Sequence, residues 1–279
     1  MKYKLAICYR VYPGISKIPI IFKDNKLKLA EFALKSFVNA LDNSDLDIKI
    51  WVILDNCDQN YNEIFKKYLS SYDYELINVP KSGNAATFGM QMNILRHQNF
   101  SKNIYFAEDD YFYLPNAFKE TINILENNIA EFVTPYEHPD IYNLKFHNYK
   151  KDITKLDNSN YEWINCATTT MTFMTTKKIL IKYWEYFKSY TKLNYDTSLW
   201  LSITKYNIRN PLKILSDSIN SINYLKIYSK VFYFFPFSIF GKGAKLLCPK
   251  PSLATHLDNQ GIPDSVDWNQ EFNKISDGI

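Results

Sequence analysis

The chain has 279 residues, of which 46% are hydrophobic and 22% charged, and its formal net charge is +4. This apolar fraction is enough for a sizeable core, and so small a charge, without a dense run of lysine or arginine, argues against nucleic acid as a partner. The four cysteines are widely spaced, a pattern typical of buried thiols in a reducing compartment rather than of a zinc site or a disulfide framework.

The first half of the sequence alternates apolar strand-like runs with segments whose apolar residues recur at helical spacing. We predict strands at 3–9, 48–55, 74–80 and 102–107, and helices around 27–41, 61–69 and 84–98. Such alternation implies parallel strands joined by right-handed crossovers, so the fold class is α/β with a mostly parallel sheet flanked by helices. In sheets of this kind ligands collect at the carboxyl ends of the strands.

The second half has longer and less regular segments. A strand followed by a polar turn is predicted at 131–140, and one long β-branched and aromatic strand at 163–176. Helices are predicted at 177–190 and 196–206, and the remaining segment has irregular patterning that is rich in turn residues near its end.

Three carboxylates, Glu108, Asp109 and Asp110, directly follow the fourth predicted strand. Two like charges ~4 Å apart repel by roughly 4 kcal/mol at an effective dielectric of ~20, so a positive partner is expected there. A divalent cation is the natural candidate. Mg²⁺ or Mn²⁺ held by one or two carboxylates stabilises a departing diphosphate as a Lewis acid.

In the order and spacing of its motifs, the chain resembles inverting glycosyltransferases of the GT-A fold, close to glycosyltransferase family 2. The resemblance covers residues 2–207 and rests on "AEDDYFYLP" for the acid-x-acid motif, "LDNCDQN" for the turn after the second strand, and "SGNAATFGMQMN" for a helix start. It implies a GT-A-like, Rossmann-related sheet with an acceptor-side extension. The implied activity is metal-dependent, inverting transfer of a sugar from a nucleotide donor, UDP above all, to a glycan or lipid-linked glycan of a bacterial-type surface polysaccharide.

The resemblance also implies roles for individual residues on the donor side. The expected donor contacts are Tyr9, Arg10, Asp55, Asn84, Glu108 and Asp109. The cation, Mn²⁺ or Mg²⁺, is expected on Asp110 together with His256, a late histidine of the kind that completes such metal sites. For Arg10 a surface position, and for His256 a purely structural one, remain open alternatives.

On the acceptor side, Asp196 matches the usual general base of the family, although Tyr195 stands where the family has a glutamate. The alternative for Asp196 is an N-cap of the helix that follows it. Trp163 is expected either to stack on an acceptor sugar or to lie in the core. Glu137 and His138 follow the fifth strand and are weaker candidates for acceptor contacts.

The expected organisation is a glycosyltransferase domain at 1–215, with a nucleotide-sugar half at 1–115 and an acceptor half at 116–215, and an extension at 216–279 that packs on the same domain. The basic and aromatic stretch 226–245 admits three interpretations, namely core, a peripheral membrane or lipid-acceptor surface, or an oligomer contact. No window supplies ~20 uninterrupted apolar residues for a spanning helix, and the N-terminus does not resemble a signal peptide. We therefore expect a cytoplasmic protein that is either free or peripherally associated with the inner face of the membrane.

Two other classes of protein remain open. A nucleotidyltransferase also combines an α/β fold with carboxylates and a metal, but it is expected to carry a glycine-rich, basic loop after the first strand, for which "YRVYPGISK" is a poor example. A catalytically inactive glycan-binding protein on the same scaffold is kept open by Tyr195.

Overall fold

A computed structural model describes residues 3–15, 18–144, 147, 149, 151–157, 159–206, 208–234 and 241–276. The strands are β1 (Lys4–Val11), β2 (Asp47–Asp55), β3 (Asp73–Val79), β4 (Asn103–Glu108), β5 (Tyr111–Tyr113), β6 (Phe132–Val133), β7 (Ile153–Lys155), β8 (Glu162–Asn165), β9 (Phe173–Thr176), β10 (Leu246–Lys250) and β11 (Ala254–His256). The helices are α1 (Lys26–Asp42), α2 (Gln59–Leu69), α3 (Asn84–His97), α4 (Ala117–Glu126), α5 (Asp140–Asn143), α6 (Lys177–Lys182), α7 (Trp184–Tyr190), α8 (Asp196–Thr204), α9 (Pro211–Asn220), α10 (Ile222–Phe234) and α11 (Trp268–Ser276).

A nine-stranded sheet in the order β3-β2-β1-β4-β9-β6-β10-β8-β7 forms the centre of the molecule, and β5 pairs with β11 in a separate ribbon. The first four strands of this order are mutually parallel, whereas β9 and β8 run against their neighbours. The predicted fold class, a mostly parallel sheet flanked by helices, is confirmed.

The core lies on both faces of the sheet, because the central strands are buried on both sides. In β1 every residue after Lys4 is buried. On one face the apolar cluster includes Phe37 of α1 and Phe65 of α2, and on the other it includes Phe88 of α3 and Trp200 of α8. This continuous apolar patterning is typical of parallel strands covered by helices.

The predicted long strand at 163–176 is wrong. The segment forms β8 and β9, and β6 and β10 lie between these two strands in the sheet. In the backbone between them, the nitrogen of Cys166 donates to the carbonyl of Leu246 in β10 at 2.9 Å, and carbonyls farther along accept from helix α8. The indole nitrogen of Trp200 donates to the carbonyl of Thr170 at 3.1 Å, and the hydroxyl of Thr204 donates to the carbonyl of Ala167 at 2.8 Å. High β-propensity therefore did not decide this segment, because a helix supplied the donors for these carbonyls.

Two further segments differ from the prediction. The helix expected at 177–190 is divided into α6 and α7 at Tyr183. The last segment, expected to be irregular, forms α9, α10, β10, β11 and α11, and β10 takes a place inside the main sheet between β6 and β8. The division of the chain at residue 215 stays a prediction. In the described part of the chain, no helix combines the length and the apolar character needed to cross a bilayer.

Helix α3 is joined to the sheet by a buried amide. The side-chain nitrogen of Gln91, which is fully buried, donates to the carbonyls of Cys8 at 2.7 Å and Ala107 at 3.0 Å. These carbonyls belong to β1 and β4, close to the strand ends at which the candidate site lies. The amide thus holds α3 in a fixed position beside both strands.

We predict that Gln91→Met lowers the free energy of unfolding by about 1–3 kcal/mol, because it keeps the side-chain size and leaves two buried carbonyls without this donor. Urea unfolding followed by circular dichroism measures the change. Gln270→Met, on the exposed surface of α11, is the matched control and should change stability far less. Equal stability of the Gln91 variant and the wild type would contradict the structural role of the amide.

Candidate active site

Each of the three carboxylates at the end of β4 has its own cationic partner from another part of the chain. Glu108 pairs with the guanidinium of Arg10, Asp109 with the ammonium of Lys26 at 3.0 Å, and Asp110 with the imidazole of His256 at 3.0 Å. The charge repulsion expected from the sequence is therefore balanced by three protein side chains. Balance of the carboxylate charges does not by itself require a metal ion.

Arg10 is the buried centre of a polar network that extends to the surface at Asn84. Register places it opposite Glu108, since β1 and β4 are parallel neighbours. Its guanidinium donates to the carbonyl of Asn84 at 2.9 Å and to the side-chain oxygen of the same residue. The amide of Asn84 donates to the hydroxyl of Tyr190 at 2.9 Å, and Glu108 also accepts from the hydroxyl of Thr172 at 2.9 Å. The surface alternative for Arg10 is excluded, because only 6% of the residue is exposed.

His256 lies between two carboxylates. The antiparallel pairing of β5 with β11 places it opposite Tyr111, next to Asp110. Its Nε2 atom contacts Asp110, and its Nδ1 atom contacts Asp258. Burial lowers the pKa of His256, but the carboxylates of Asp110 and Asp258 outweigh this effect and raise the pKa to about 10. The imidazole is therefore protonated at neutral pH in this arrangement.

Asp109 and Asp55 accept hydrogen bonds from the backbone segments that form the walls of the site. The carboxylate of Asp109 accepts from the backbone nitrogen of Tyr12 at 3.2 Å in addition to Lys26. The two oxygens of Asp55 accept from the backbone nitrogens of Ser82 and Gly83 at 2.7 and 2.8 Å. Gly83 has a φ of +84°, which favours glycine, and it is the residue before α3. Asp55 thus holds the loop that places the first turn of α3 at the cleft.

A cleft of about 370 Å³ opens at the carboxyl ends of β1, β2 and β4. Its lining consists of Arg10, Val11, Tyr12, Gly14, Lys26, Asp55, Lys81, Gly83, Asn84, Thr87, Glu108, Asp109 and Asp110. A second recess shares Gly83 and Asn84 with this cleft, and it is bounded by Tyr190, Tyr195 and Asp196 on its other side. The cleft and the recess therefore meet at the start of α3.

Asp196 is the first residue of α8, and Tyr195 occupies the N-cap position. The N-cap alternative is therefore wrong, although one carboxylate oxygen of Asp196 accepts from the backbone nitrogen of Thr197 at 2.6 Å. Burial raises the pKa of Asp196, and the bonds from Thr197 offset this only in part. A carboxylate in such an environment has an increased affinity for a proton.

The structure places two predicted site residues away from the cleft. Tyr9 is fully buried, with its ring packed edge-on against Phe37 and Phe65, so the predicted stacking on a nucleotide base is incompatible with this position. On a strand, neighbouring side chains point to opposite faces, so Tyr9 packs on the face covered by α1 and α2, while Arg10 lies on the face covered by α3. Trp163 is also fully buried, which corresponds to the core alternative.

The two remaining acceptor candidates lie beside each other but face different surroundings. Glu137 is buried and accepts hydrogen bonds from the hydroxyls of Tyr142 and Ser265. His138 is partly exposed, and its Nδ1 atom accepts from the backbone nitrogen of Asp140 at 3.0 Å. His138 is close enough to Asp196 for its charge to lower the pKa of that carboxyl.

Sequence reasoning did not identify Lys26, Lys81, Thr172 and Tyr190. Lys26 is the first residue of α1, and Tyr190 is the last of α7, so tertiary packing alone brings them to the cleft and the recess. Their local patterns carry no signal for this. Only the unusual run of three carboxylates indicated that further cations had to be nearby.

No protein-family model and no curated protein matches the chain. Among solved structures, fragment 1–349 of S. aureus TarS in complex with UDP has a TM-score of 0.46 at 12% identity over 84% of this chain and 72% of that chain. The same fragment with UDP-GlcNAc has a TM-score of 0.43 at 12% identity, over 84% of this chain and 73% of that chain. The inositol-1-phosphate CTP transferase from T. maritima has a TM-score of 0.43 at 12% identity, over 100% of this chain and 98% of that chain. These similarities establish neither a family nor an activity for this chain.

We predict that Arg10→Met destabilises the protein by about 3–5 kcal/mol, because it leaves Glu108 without its partner in a mostly buried site. Urea unfolding measures the change. Lys274→Met, which breaks the exposed i,i+3 pair with Glu271, is the control and should cost less than ~1 kcal/mol. A loss as small as that of the control would show that Glu108 is adequately solvated without Arg10.

Proposed function

We propose that the protein is a glycosyltransferase that moves a sugar from a nucleotide donor, UDP above all, to a hydroxyl group of a glycan or lipid-linked glycan. One observation carries the proposal. The cleft at the strand ends, where three cationic side chains and four carboxylates meet, is continuous at Gly83 and Asn84 with a recess that contains a further carboxylate, Asp196. Donor and acceptor groups of one transfer reaction need this adjacency.

The donor cleft suits a diphosphate. Arg10, Lys26 and Lys81 line it, and so do Gly83 and Asn84 at the amino-terminal end of α3. Unpaired backbone N–H groups and the helix dipole at such an end favour negative charge. Arg10 and Lys26 are already paired with carboxylates. In the proposed complex, these carboxylates orient the two cationic side chains toward the phosphates.

Asp110 and His256 fit a divalent cation, Mn²⁺ or Mg²⁺. Oδ2 of Asp110 and Nε2 of His256 are 3.0 Å apart, and both atoms would hold the ion once Nε2 has given up its proton. Asp258 accepts at Nδ1 of His256, as expected for the outer partner of a metal-binding histidine. Among the described residues no three His, Cys, Asp or Glu side chains form a metal group by themselves, so phosphates and water would complete the coordination. The ion would supply Lewis-acid stabilisation of the departing diphosphate.

Asp196 is the proposed general base. It takes the proton from the acceptor hydroxyl as that oxygen bonds to the anomeric carbon, while the bond between this carbon and the diphosphate oxygen breaks. A single displacement of this kind inverts the anomeric configuration. The raised pKa of Asp196 suits the role, because a base is most effective when its pKa approaches the working pH.

The proposed acceptor binds in the recess, where His138 and Tyr190 are close to Asp196. A surface polysaccharide under assembly, free or lipid-linked, is the proposed source of the hydroxyl. The predicted membrane contact through 226–245 also stays a proposal. Residues 235–240 of that stretch lie outside the described part of the chain.

We predict that UDP at about 100 times its dissociation constant adds ~2.7 kcal/mol to stability with Mn²⁺ and much less with EDTA. Thermal shift measures this. Asp110→Asn should abolish the difference, because it removes one of the two proposed ligands. Asp73→Asn, at the opposite ends of the strands, is the control and should behave like the wild type. UDP binding that is equally strong in EDTA would remove the metal from the proposal.

We predict that Asp196→Asn lowers the rate of transfer by ~10²–10⁴-fold, the usual contribution of a positioned base. UDP binding and stability should change little, because asparagine keeps the size and still offers an oxygen to Thr197. Turnover of nucleotide-sugars by the two proteins measures the effect, with Asp73→Asn again as the control. A product of retained configuration, observed by proton NMR, would overturn the single displacement. Normal turnover by the variant would exclude Asp196 as the base.

A further inference from the structure

Helix α9 exposes most of its apolar side chains, and its inner side carries a buried charged residue beside the partly buried Ile214. Leu212, Leu215 and Ile219 follow one another at helical spacing and are 78%, 58% and 75% exposed. The buried residue on the opposite side is Asp217, whose carboxylate accepts from the hydroxyl of Tyr228 at 3.1 Å and pairs with the ammonium of Lys213 at 3.3 Å. A helix at a water-facing surface normally has the reverse arrangement, so this face is built for contact with something apolar.

Helix α10 extends the same surface. Ile222 and Leu225 are exposed at its beginning, and Tyr233 is exposed near its end. Their spacing of three and eight residues places them on one side of the helix. We call the exposed residues Leu212, Leu215, Ile219, Ile222, Leu225 and Tyr233 the hairpin surface.

The chain around the hairpin surface is strongly basic. Between Asp196 and Asp258 the sequence has eight lysine and arginine residues, namely Lys205, Arg209, Lys213, Lys226, Lys230, Lys242, Lys245 and Lys250, and a single acidic one, Asp217. Asp217 is buried and neutralises Lys213, so no exposed carboxylate among the described residues of the segment offsets the other seven charges. Exposed apolar side chains within a basic region complement an anionic lipid surface. Two copies of this face would place their lysines against each other.

The hairpin surface continues to the proposed acceptor recess. Helix α10 is fastened to α8, since the hydroxyl of Ser198 donates to the carbonyl of Ile227 at 2.9 Å. Lys230 donates to the carbonyl of Leu193 at 3.1 Å, and Leu193 is itself 76% exposed at the edge of the recess. A depression of about 360 Å³ between the helices is lined by both Asp196 and Lys226. A membrane in contact with α9 and α10 would therefore lie beside the proposed base.

We propose that the hairpin surface docks on an anionic lipid bilayer and thereby brings a lipid-borne acceptor to Asp196. The docking rests on the exposed apolar residues and the basic rim alone. The choice of a lipid-borne acceptor rests on the proposed glycosyl transfer. In this arrangement the apolar side chains enter the boundary between headgroups and acyl chains, and the lysines contact the lipid phosphates.

The test is co-sedimentation of the full chain with vesicles of phosphatidylglycerol and phosphatidylcholine, and with vesicles of phosphatidylcholine alone. Binding should require the anionic lipid and weaken at high salt, since exposed charges are screened over ~10 Å at 0.1 M. Leu212→Ser/Ile219→Ser should weaken binding by about tenfold or more, because each change removes an inserted apolar side chain. Its stability to urea should equal that of the wild type, because both residues are exposed.

Ile153→Ser/Ile181→Ser is the matched control, since it removes two apolar side chains of 57% and 48% exposure from β7 and α6. It should bind vesicles like the wild type. Absence of binding by the wild type, or equal binding by the hairpin variant, would overturn the proposal. So would a wild-type dimer in ultracentrifugation that the hairpin variant dissociates, since a second copy would then cover the surface. The UDP thermal shift of both variants reports on the donor site separately, so failure of docking and failure of the proposed function are distinguishable.

Discussion

Three consecutive carboxylates at the end of a buried strand are stable only if each one meets a positive charge. In this protein Arg10 comes from the neighbouring strand, Lys26 from the first turn of α1, and His256 from a ribbon formed near the end of the chain. At a separation of ~4 Å, each uncompensated pair of like charges costs roughly 4 kcal/mol at an effective dielectric of ~20. The requirement for cations therefore ties three distant parts of the chain to one point.

The same requirement produces the cleft. Two of these cations, Arg10 and Lys26, also line the cavity at the strand ends, together with Lys81 and the first residues of α3. Asn84 extends the network from Arg10 to Tyr190 and so to the recess that contains Asp196. The balance of the carboxylate charges and the connection between the cleft and the recess are thus aspects of a single hydrogen-bonded network.

Much of the fold was predictable because local pattern and tertiary role agree there. The alternation of strands and helices through β4 follows from short apolar runs and helically spaced residues, and its carboxyl-end clusters lie where such sheets bind ligands. Prediction failed where a distant element supplied the hydrogen bonds. The segment at 163–176 has strong β-propensity, yet α8 takes the carbonyls of Ala167 and Thr170 and divides it into two strands. Helices α9 and α10 were missed because their apolar residues are divided between an exposed side, with Leu212 and Ile222, and a buried side, with Tyr228 and Val231, so no single apolar stripe marks them.

The sequence by itself determined the fold class and the position of Glu108, Asp109 and Asp110 at a strand end, since both depend on short-range periodicity and strand order. A family resemblance in the sequence also predicted that Asp110 and His256 act together. In the structure, Oδ2 of Asp110 and Nε2 of His256 are 3.0 Å apart. Their role as metal ligands stays a prediction. Only the tertiary structure decided that Tyr9 and Trp163 are core residues, that Lys26 and Tyr190 belong to the site, and that α9 exposes its leucines. The physical reason is that burial and charge pairing depend on long-range register and packing, which local spacing does not encode.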